Sequence, residues 1–275
     1  MTTLYGWTGR ILKVDLTRGE TSTLATADYV PHYVGGMGVA ARLAYLIEGR
    51  IPPGTALDVG TGTGELAFCL RRTCPDQPLV LCDIAPGMTR YAVSRIPGAL
   101  AADADAQSLP FRDGVFGLVA SASVYQWMNH LGAAFGEAAR ILRPGGLFAF
   151  AFYGEGTLAE LRQSHLTALR EAGCEETSYF QRFPAVEDSR KALMAAGLQI
   201  EDLWCETEVE WHADPGALLR SLKKIGAQNA HVKRPRGLAS RRVMLRMNEF
   251  YQERFGTVQG VPATYKVIFG LATRL

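Results

Sequence analysis

The sequence predicts an α/β fold: a doubly wound, mostly parallel sheet with a helical cap and an N-terminal β-hairpin extension. Three observations carry this expectation. Between residues 51 and 152, short apolar runs alternate with helical stretches, which is how parallel strands covered on both faces read. A glycine-rich loop directly follows the first of those runs, where a strand gives way to a helix. Beyond residue 153 the pattern is mostly helical and is broken by two strand-like runs.

Taken in order, residues 1–50 form an extension. Alternating Arg10-Ile11-Leu12-Lys13-Val14-Asp15-Leu16, a turn at Thr17-Arg18-Gly19-Glu20 and Thr21-Ser22-Thr23-Leu24 read as a hairpin, with a helix expected from about Val39 to Ile47. Residues 51–152 form the core. Thr55-Ala56-Leu57-Asp58-Val59 is its first strand, followed by a helix from Glu65 to Arg72. Pro78 to Asp83 is the second strand, and Pro86 opens the next helix, because proline at a first helical position gives up no needed N–H. Phe116 to Ser121 and Leu147 to Phe152 repeat the strand pattern, with a helix from Ala133 to Leu142 and a stop at Arg143-Pro144-Gly145-Gly146 between them. Residues 153–275 form the cap and the final strands. Helices are expected at 157–172, 186–196, 215–225 and 240–255, and strands at 200–211 and 265–271.

At 275 residues and 48% hydrophobic composition the chain can bury a sizeable core. Lysine and arginine total 29 against 27 aspartate and glutamate, so no global field marks a nucleic-acid or membrane-surface binder. The chain has neither a transmembrane-length apolar run nor a leader of basic, apolar and small residues, so a cytoplasmic location is expected. Cys69, Cys74, Cys82, Cys174 and Cys205 are odd in number and lack CxxC spacing, which argues against a disulfide framework and a zinc site. No metal ligand set is expected.

The sharpest local signal is Leu57-Asp58-Val59-Gly60-Thr61-Gly62-Thr63-Gly64. Its G-x-G-x-G spacing, with an acid two residues earlier, differs from the G-x-G-x-x-G dinucleotide fingerprint. Asp83 ends the second strand, where a carboxylate accepts both hydroxyls of a ribose or caps the next helix. The loop resembles the first motif of class I methyltransferases, whose fold is a seven-stranded Rossmann-like sheet. That resemblance implies S-adenosyl-L-methionine as cofactor, leaving as S-adenosyl-L-homocysteine. It implies cofactor-binding roles for Asp58, Gly60, Thr61, Gly62, Gly64, Asp83, Ile84, Met88, Asp105, Ala106 and Ser121. Asp105 is expected where the third strand ends, with Asp103 close by; capping is the other reading of Ser121.

Further blocks narrow the resemblance. Asp105-Ala106 with Leu109-Pro110-Phe111, Tyr125-Gln126-Trp127, Gly156-Thr157-Leu158 with Glu160-Leu161, and Arg182-Phe183 occur in the order seen in the malonyl-[acyl-carrier protein] O-methyltransferases of biotin synthesis. Leu219 to Ala227 with Asn229, Arg236-Gly237-Leu238, Tyr251 and Pro262-Ala263-Thr264-Tyr265 match that family's C-terminal signature. The resemblance spans about residues 51–275. It implies methylation of the free carboxylate of malonyl-acyl-carrier protein, or of malonyl-CoA. Gln126 and Trp127 would sit on the acceptor side, and Arg182 or Arg236 would pair with the carboxylate, since arginine presents a fixed fork of donors. Lys223, Lys224, Lys233, Arg234, Arg236, Arg241 and Arg242 form a basic cluster suited to an acidic carrier protein. A methyltransferase of another small acid, and a non-catalytic S-adenosylmethionine-binding partner module, stay open as alternatives.

The first 50 residues depart from that family. Tyr5 to Leu16 together with Tyr33 to Leu43 resemble the start of aldehyde ferredoxin oxidoreductases, but Met37 stands where those have arginine, and clustered cysteines are lacking. Tungsten, pterin and iron–sulfur binding are therefore not carried over. Tyr29 and Tyr33 are the candidates to replace the tyrosine that closes the family's cofactor pocket.

Overall fold

The computed structural model describes residues 10–15, 20–25, 34–173, 182–224 and 241–275, with side chains from residue 38 onward. Its contacts divide the chain into two compact units. One contains residues 1–152, 185–205 and 268–275, and the other residues 153–184 and 206–267.

In the first unit, β1 (Arg10–Asp15) and β2 (Glu20–Ala25) pair antiparallel as the predicted hairpin. α1 (Val34–Leu46) follows and starts five residues before the predicted position. Val39 and Leu43 recur at helical spacing on its buried stripe, which Ile47 continues just past its end, and α1 packs on the helix Glu65–Thr73 and the strand Phe116–Ala122. Burying that stripe makes α1 part of the unit's core.

The main sheet, counted over the described residues, has seven strands in the order β5-β4-β3-β6-β7-β9-β8. These are β3 (Thr55–Val59), β4 (Leu79–Asp83), β5 (Leu100–Asp103), β6 (Phe116–Ala122), β7 (Leu142–Tyr153), β8 (Leu198–His212) and β9 (Val261–Arg274). β5, β4, β3, β6 and β7 run parallel. α2 (Glu65–Thr73), α3 (Pro86–Arg95) and α4 (Leu131–Ile141) alternate with them. The chain winds outward from β3 through β4 to β5, then returns to β6 on the other side of β3. That reversal is a topological switch point between β3 and β6, and ligands bind at the carboxyl ends of such strands in open α/β sheets.

Two boundaries correct the sequence reading. Asp103, not Asp105, closes the third strand, β5. Arg143 to Gly146 belong to the start of β7, where the register jumps from Phe116↔Leu142 to Leu118↔Leu147. The glycines are absorbed as an irregularity in the strand because Leu142 pairs with β6 before they occur. α6 (Val186–Ala195) lies as predicted.

The second unit contains α5 (Ala159–Glu171), α7 (Pro215–Lys224) and α8 (Arg241–Phe255). Here the C-terminal sequence block has a plain structural role. The Glu160 carboxylate accepts the backbone N–H and the hydroxyl of Thr264. The Leu158 N–H donates to the Thr264 carbonyl, and the Tyr251 hydroxyl donates to the Pro262 carbonyl at 2.6 Å. These bonds tie the Gly156–Leu161 and Pro262–Tyr265 blocks together. Among the described residues no helix is long and apolar enough to cross a membrane.

Candidate methyl-donor site

The site begins where β3 ends. Asp58 is 1% exposed, and its carboxylate accepts the Thr61 hydroxyl at 2.7 Å and the backbone N–H of Ala67. Ala67 is the third residue of α2, so its N–H has no partner within the helix. The helix's N-cap, Gly64, has no side chain to supply one. Asp58 thus caps α2 from the strand and braces the loop. Burial raises its pKa from 3.8 to about 7, against the lowering effect of those two bonds.

This shift predicts a pH dependence of stability. The native state holds the Asp58 proton up to about pH 7, whereas the unfolded chain releases it near 3.8. The resulting stabilisation is complete below the unfolded value and is lost as pH rises through about 7. The melting temperature of the cofactor-free protein should therefore fall between about pH 4 and 7, and Asp58→Asn should flatten that slope. An equal slope in the variant would assign it to other groups.

The three loop glycines face different surroundings. All have positive φ, at 67°, 53° and 84° for Gly60, Gly62 and Gly64. A Cβ on Gly60 would stand 2.7 Å from Val124 Cγ1 and closer still to Cγ2. On Gly62 it would meet only the Gly60 carbonyl at 4.0 Å. The backbone at Gly62 therefore borders open space, a cradle that a side chain would fill.

Asp83 closes β4 beside this loop and is partly exposed. Its Oδ1 accepts the Ala85 N–H at 2.9 Å and its Oδ2 the Gly62 N–H at 2.9 Å. Burial raises its pKa, and the N–H donors of Ala85, Gly62 and Ile84 counter it. The carboxylate keeps acceptor capacity for a ligand hydroxyl. Ile84, next along, is 66% exposed and offers an aliphatic surface. Ala85, not Asp83, is the N-cap of α3.

The structure sorts the remaining sequence candidates. Thr61 is buried as the Asp58 partner. Ser121 and Met88 are fully buried, and the Ser121 hydroxyl donates to the Val59 carbonyl at 2.9 Å, lacing β6 to β3. That bond makes Ser121 a brace between the central strands. Asp105 accepts the N–H of Gln107 at 2.9 Å in a local turn, with Ala106 buried beside it. Asp103 instead accepts the Thr89 hydroxyl at 2.5 Å, joining β5 to α3.

On the β6 side, Tyr125 to Trp127 form a single 3-10 turn. Tyr125 anchors it, meeting Phe135 edge-on at 5.1 Å and Phe148 at 5.9 Å. Gln126 is buried and donates from Nε2 to the Ser123 carbonyl at 2.9 Å; Trp127 is half-buried. Sequence reasoning missed Ser123 and Val124. Ser123 holds φ at 60°, a strained value for a side-chain-bearing residue, and Val124 closes on Gly60. No composition signal marks them.

In the second unit Arg182, Lys223, Arg241 and Arg242 are exposed. Arg236, Lys233, Arg234, Tyr29 and Tyr33 lie outside the described residues, as does the side chain of Lys224.

Residues 57–150 match the family model of the methyltransferase domain. The malonyl-[acyl-carrier protein] O-methyltransferase of Geobacter sulfurreducens is 44% identical over 252 residues, covering 90% of this chain and 94% of that protein. The chain belongs to the malonyl-[acyl-carrier protein] O-methyltransferase family. The family's member in Methylococcus capsulatus is 33% identical over 226 residues, covering 81% of this chain and 80% of its own length. Among solved structures, a Bacillus halodurans protein described as a methyltransferase superposes with a TM-score of 0.62 at 17% identity, covering 86% of this chain and 99% of that one. The Streptomyces coelicolor geranyl diphosphate C-methyltransferase, solved with S-adenosyl-L-homocysteine, gives 0.51 at 12% identity, covering 86% and 79%. These two likenesses establish the Rossmann-like methyltransferase fold. As a member of the family the chain is an O-methyltransferase that uses S-adenosyl-L-methionine.

Proposed function

We propose that this chain transfers a methyl group from S-adenosyl-L-methionine to the free carboxylate of a malonyl thioester on acyl-carrier protein. The observation that carries the reading is identity of 44% extending over 90% of the chain, well beyond the donor-binding domain.

The residues present fit the donor. Asp83 has acceptor capacity for ribose hydroxyls, Ile84 offers an apolar face, and the backbone at Gly62 leaves space for the methionine portion. When bound, the donor supplies an electrophilic methyl group on a sulfonium. The chain needs no general base, because a malonyl carboxylate is already ionised at neutral pH. Its task is to orient that carboxylate and exclude water. Gln126 and Trp127 border the acceptor side in this reading. Arg182 or Arg236 pairs with the carboxylate, since an unpaired buried charge costs several kcal/mol.

The exposed Lys223, Arg241 and Arg242 would meet an acidic carrier. KM for malonyl-carrier protein is therefore expected to rise about tenfold between low and physiological salt, while KM for malonyl-CoA changes much less. Equal salt dependence for both acceptors would shift the reading to a coenzyme A thioester.

A further inference from the structure

We infer that Arg95, at the end of α3, is a positioning residue for the methyl donor: it holds the glycine loop in its binding shape from 32 residues away in sequence. Its Nη1 donates to the Thr63 carbonyl at 2.7 Å and pairs with Glu65 Oε1 at 2.5 Å. The guanidinium lies over two rings, with centroids at 5.8 Å for Phe68 and 5.9 Å for Tyr91. These contacts fix its direction, because a planar group between two aromatic faces loses little further freedom on forming a hydrogen bond.

Thr63 lies between Gly62 and Gly64 and is the loop residue whose carbonyl α3 captures. Asp83 takes the Gly62 N–H from the side of β4, while Arg95 takes the Thr63 carbonyl from the side of α3. Two peptide groups of the loop, with one peptide between them, are thus tethered at separate points. Gly64 completes the contact, because its Cβ position would stand 3.2 Å from both Ala92 Cβ and Ile96 Cδ1. The Thr61 hydroxyl on Asp58, the Thr61 N–H on the Cys82 carbonyl and the Gly64 N–H on the Thr61 carbonyl hold the rest of the loop, and the glycine-flanked Thr63 peptide still costs more backbone entropy to order than one between other residues. Without Arg95 the loop keeps its Asp83 tether but samples other conformations, and donor binding must then supply the ordering.

The inference rests on the donor occupying this loop, as proposed above. The test compares Arg95→Met, Arg95→Lys, Arg140→Met and Gly62→Ala in the full-length protein. Donor KM, kcat at saturating donor, acceptor KM and calorimetric Kd for S-adenosyl-L-homocysteine are measured for each. Arg140 serves as the structural control: it pairs with Glu137 and Asp113 in the same unit but touches no part of the glycine loop. Arg95→Met should raise donor KM and Kd about tenfold, with kcat and acceptor KM nearly unchanged. Arg95→Lys should recover part of the loss, and Arg140→Met should lower thermal stability without moving donor KM. Unchanged donor KM in Arg95→Met, or an equal rise in Arg140→Met, would overturn the role given to Arg95. Unchanged donor binding in Gly62→Ala would instead overturn the placement of the donor in the loop.

Discussion

Gly62→Ala is expected to fold and to lose donor affinity by about a hundredfold, whereas Gly60→Ala is expected to lose stability first. Both glycines hold left-handed conformations that cost a side-chain-bearing residue about 1–2 kcal/mol. They differ in what a methyl group meets. At Gly62 the new carbon points into open space, 4.0 Å from its nearest neighbour. The fold tolerates it, and the ligand that uses that space does not. At Gly60 the carbon collides with both γ-carbons of Val124, next to the strained Ser123, and repacking adds about 1–3 kcal/mol to the backbone cost. Adding Val124→Ala to Gly60→Ala should recover part of the stability, because the two changes share one contact. Thermal melts and calorimetric titration with S-adenosyl-L-homocysteine separate the effects. Full donor affinity in Gly62→Ala would remove the loop from the binding site.

Asp83→Ala should weaken donor binding by about a hundredfold or more while leaving kcat at saturating donor largely intact. Charge-assisted hydrogen bonds contribute about 1.5–3 kcal/mol each, and two ribose hydroxyls would be lost together. The variant also leaves the Gly62 N–H without its carboxylate, so the loop loosens at the same time. Asp83→Asn should be nearly as weak, since its amide can present only one oxygen where the N–H groups of Gly62, Ile84 and Ala85 and a ligand all require acceptors. A fall in kcat with unchanged donor KM would place Asp83 in the chemistry rather than in donor recognition.

Much of this was legible in the sequence because its periods are short. β3, β4, β6 and β7 are apolar runs bounded by turns, and the glycine loop stands next to the first of them. β5 was expected only through its end, because it lies at the sheet edge and three of its four residues are exposed, so no apolar run bounds it. That gap also misplaced the strand end at Asp105. β9 begins four residues earlier than expected, since Pro262 looks unlike a strand residue; in the fold its carbonyl accepts the Tyr251 hydroxyl, and Thr264 bonds to Glu160 and Leu158.

The spacing singled out residue types for the candidate site, but not the directions of their side chains. The spacing marked Asp58 as important without showing that its carboxylate points inward to cap α2. Nothing local to Arg95 or Val124 links them to the glycine loop, because those contacts arise only when α3 and the β6 terminus fold against it. The C-terminal block was recognised as a signature, and its bonds to the Gly156–Leu161 segment give part of it a structural reason.

The most direct test is methyl transfer from labelled S-adenosyl-L-methionine to malonyl-carrier protein, with acetyl-carrier protein as the acceptor lacking a free carboxylate. Label should enter only the malonyl form and be released by mild base, as a methyl ester requires. Equal labelling of both carriers, or none of either despite measurable donor binding, would contradict carboxyl methylation of a malonyl thioester.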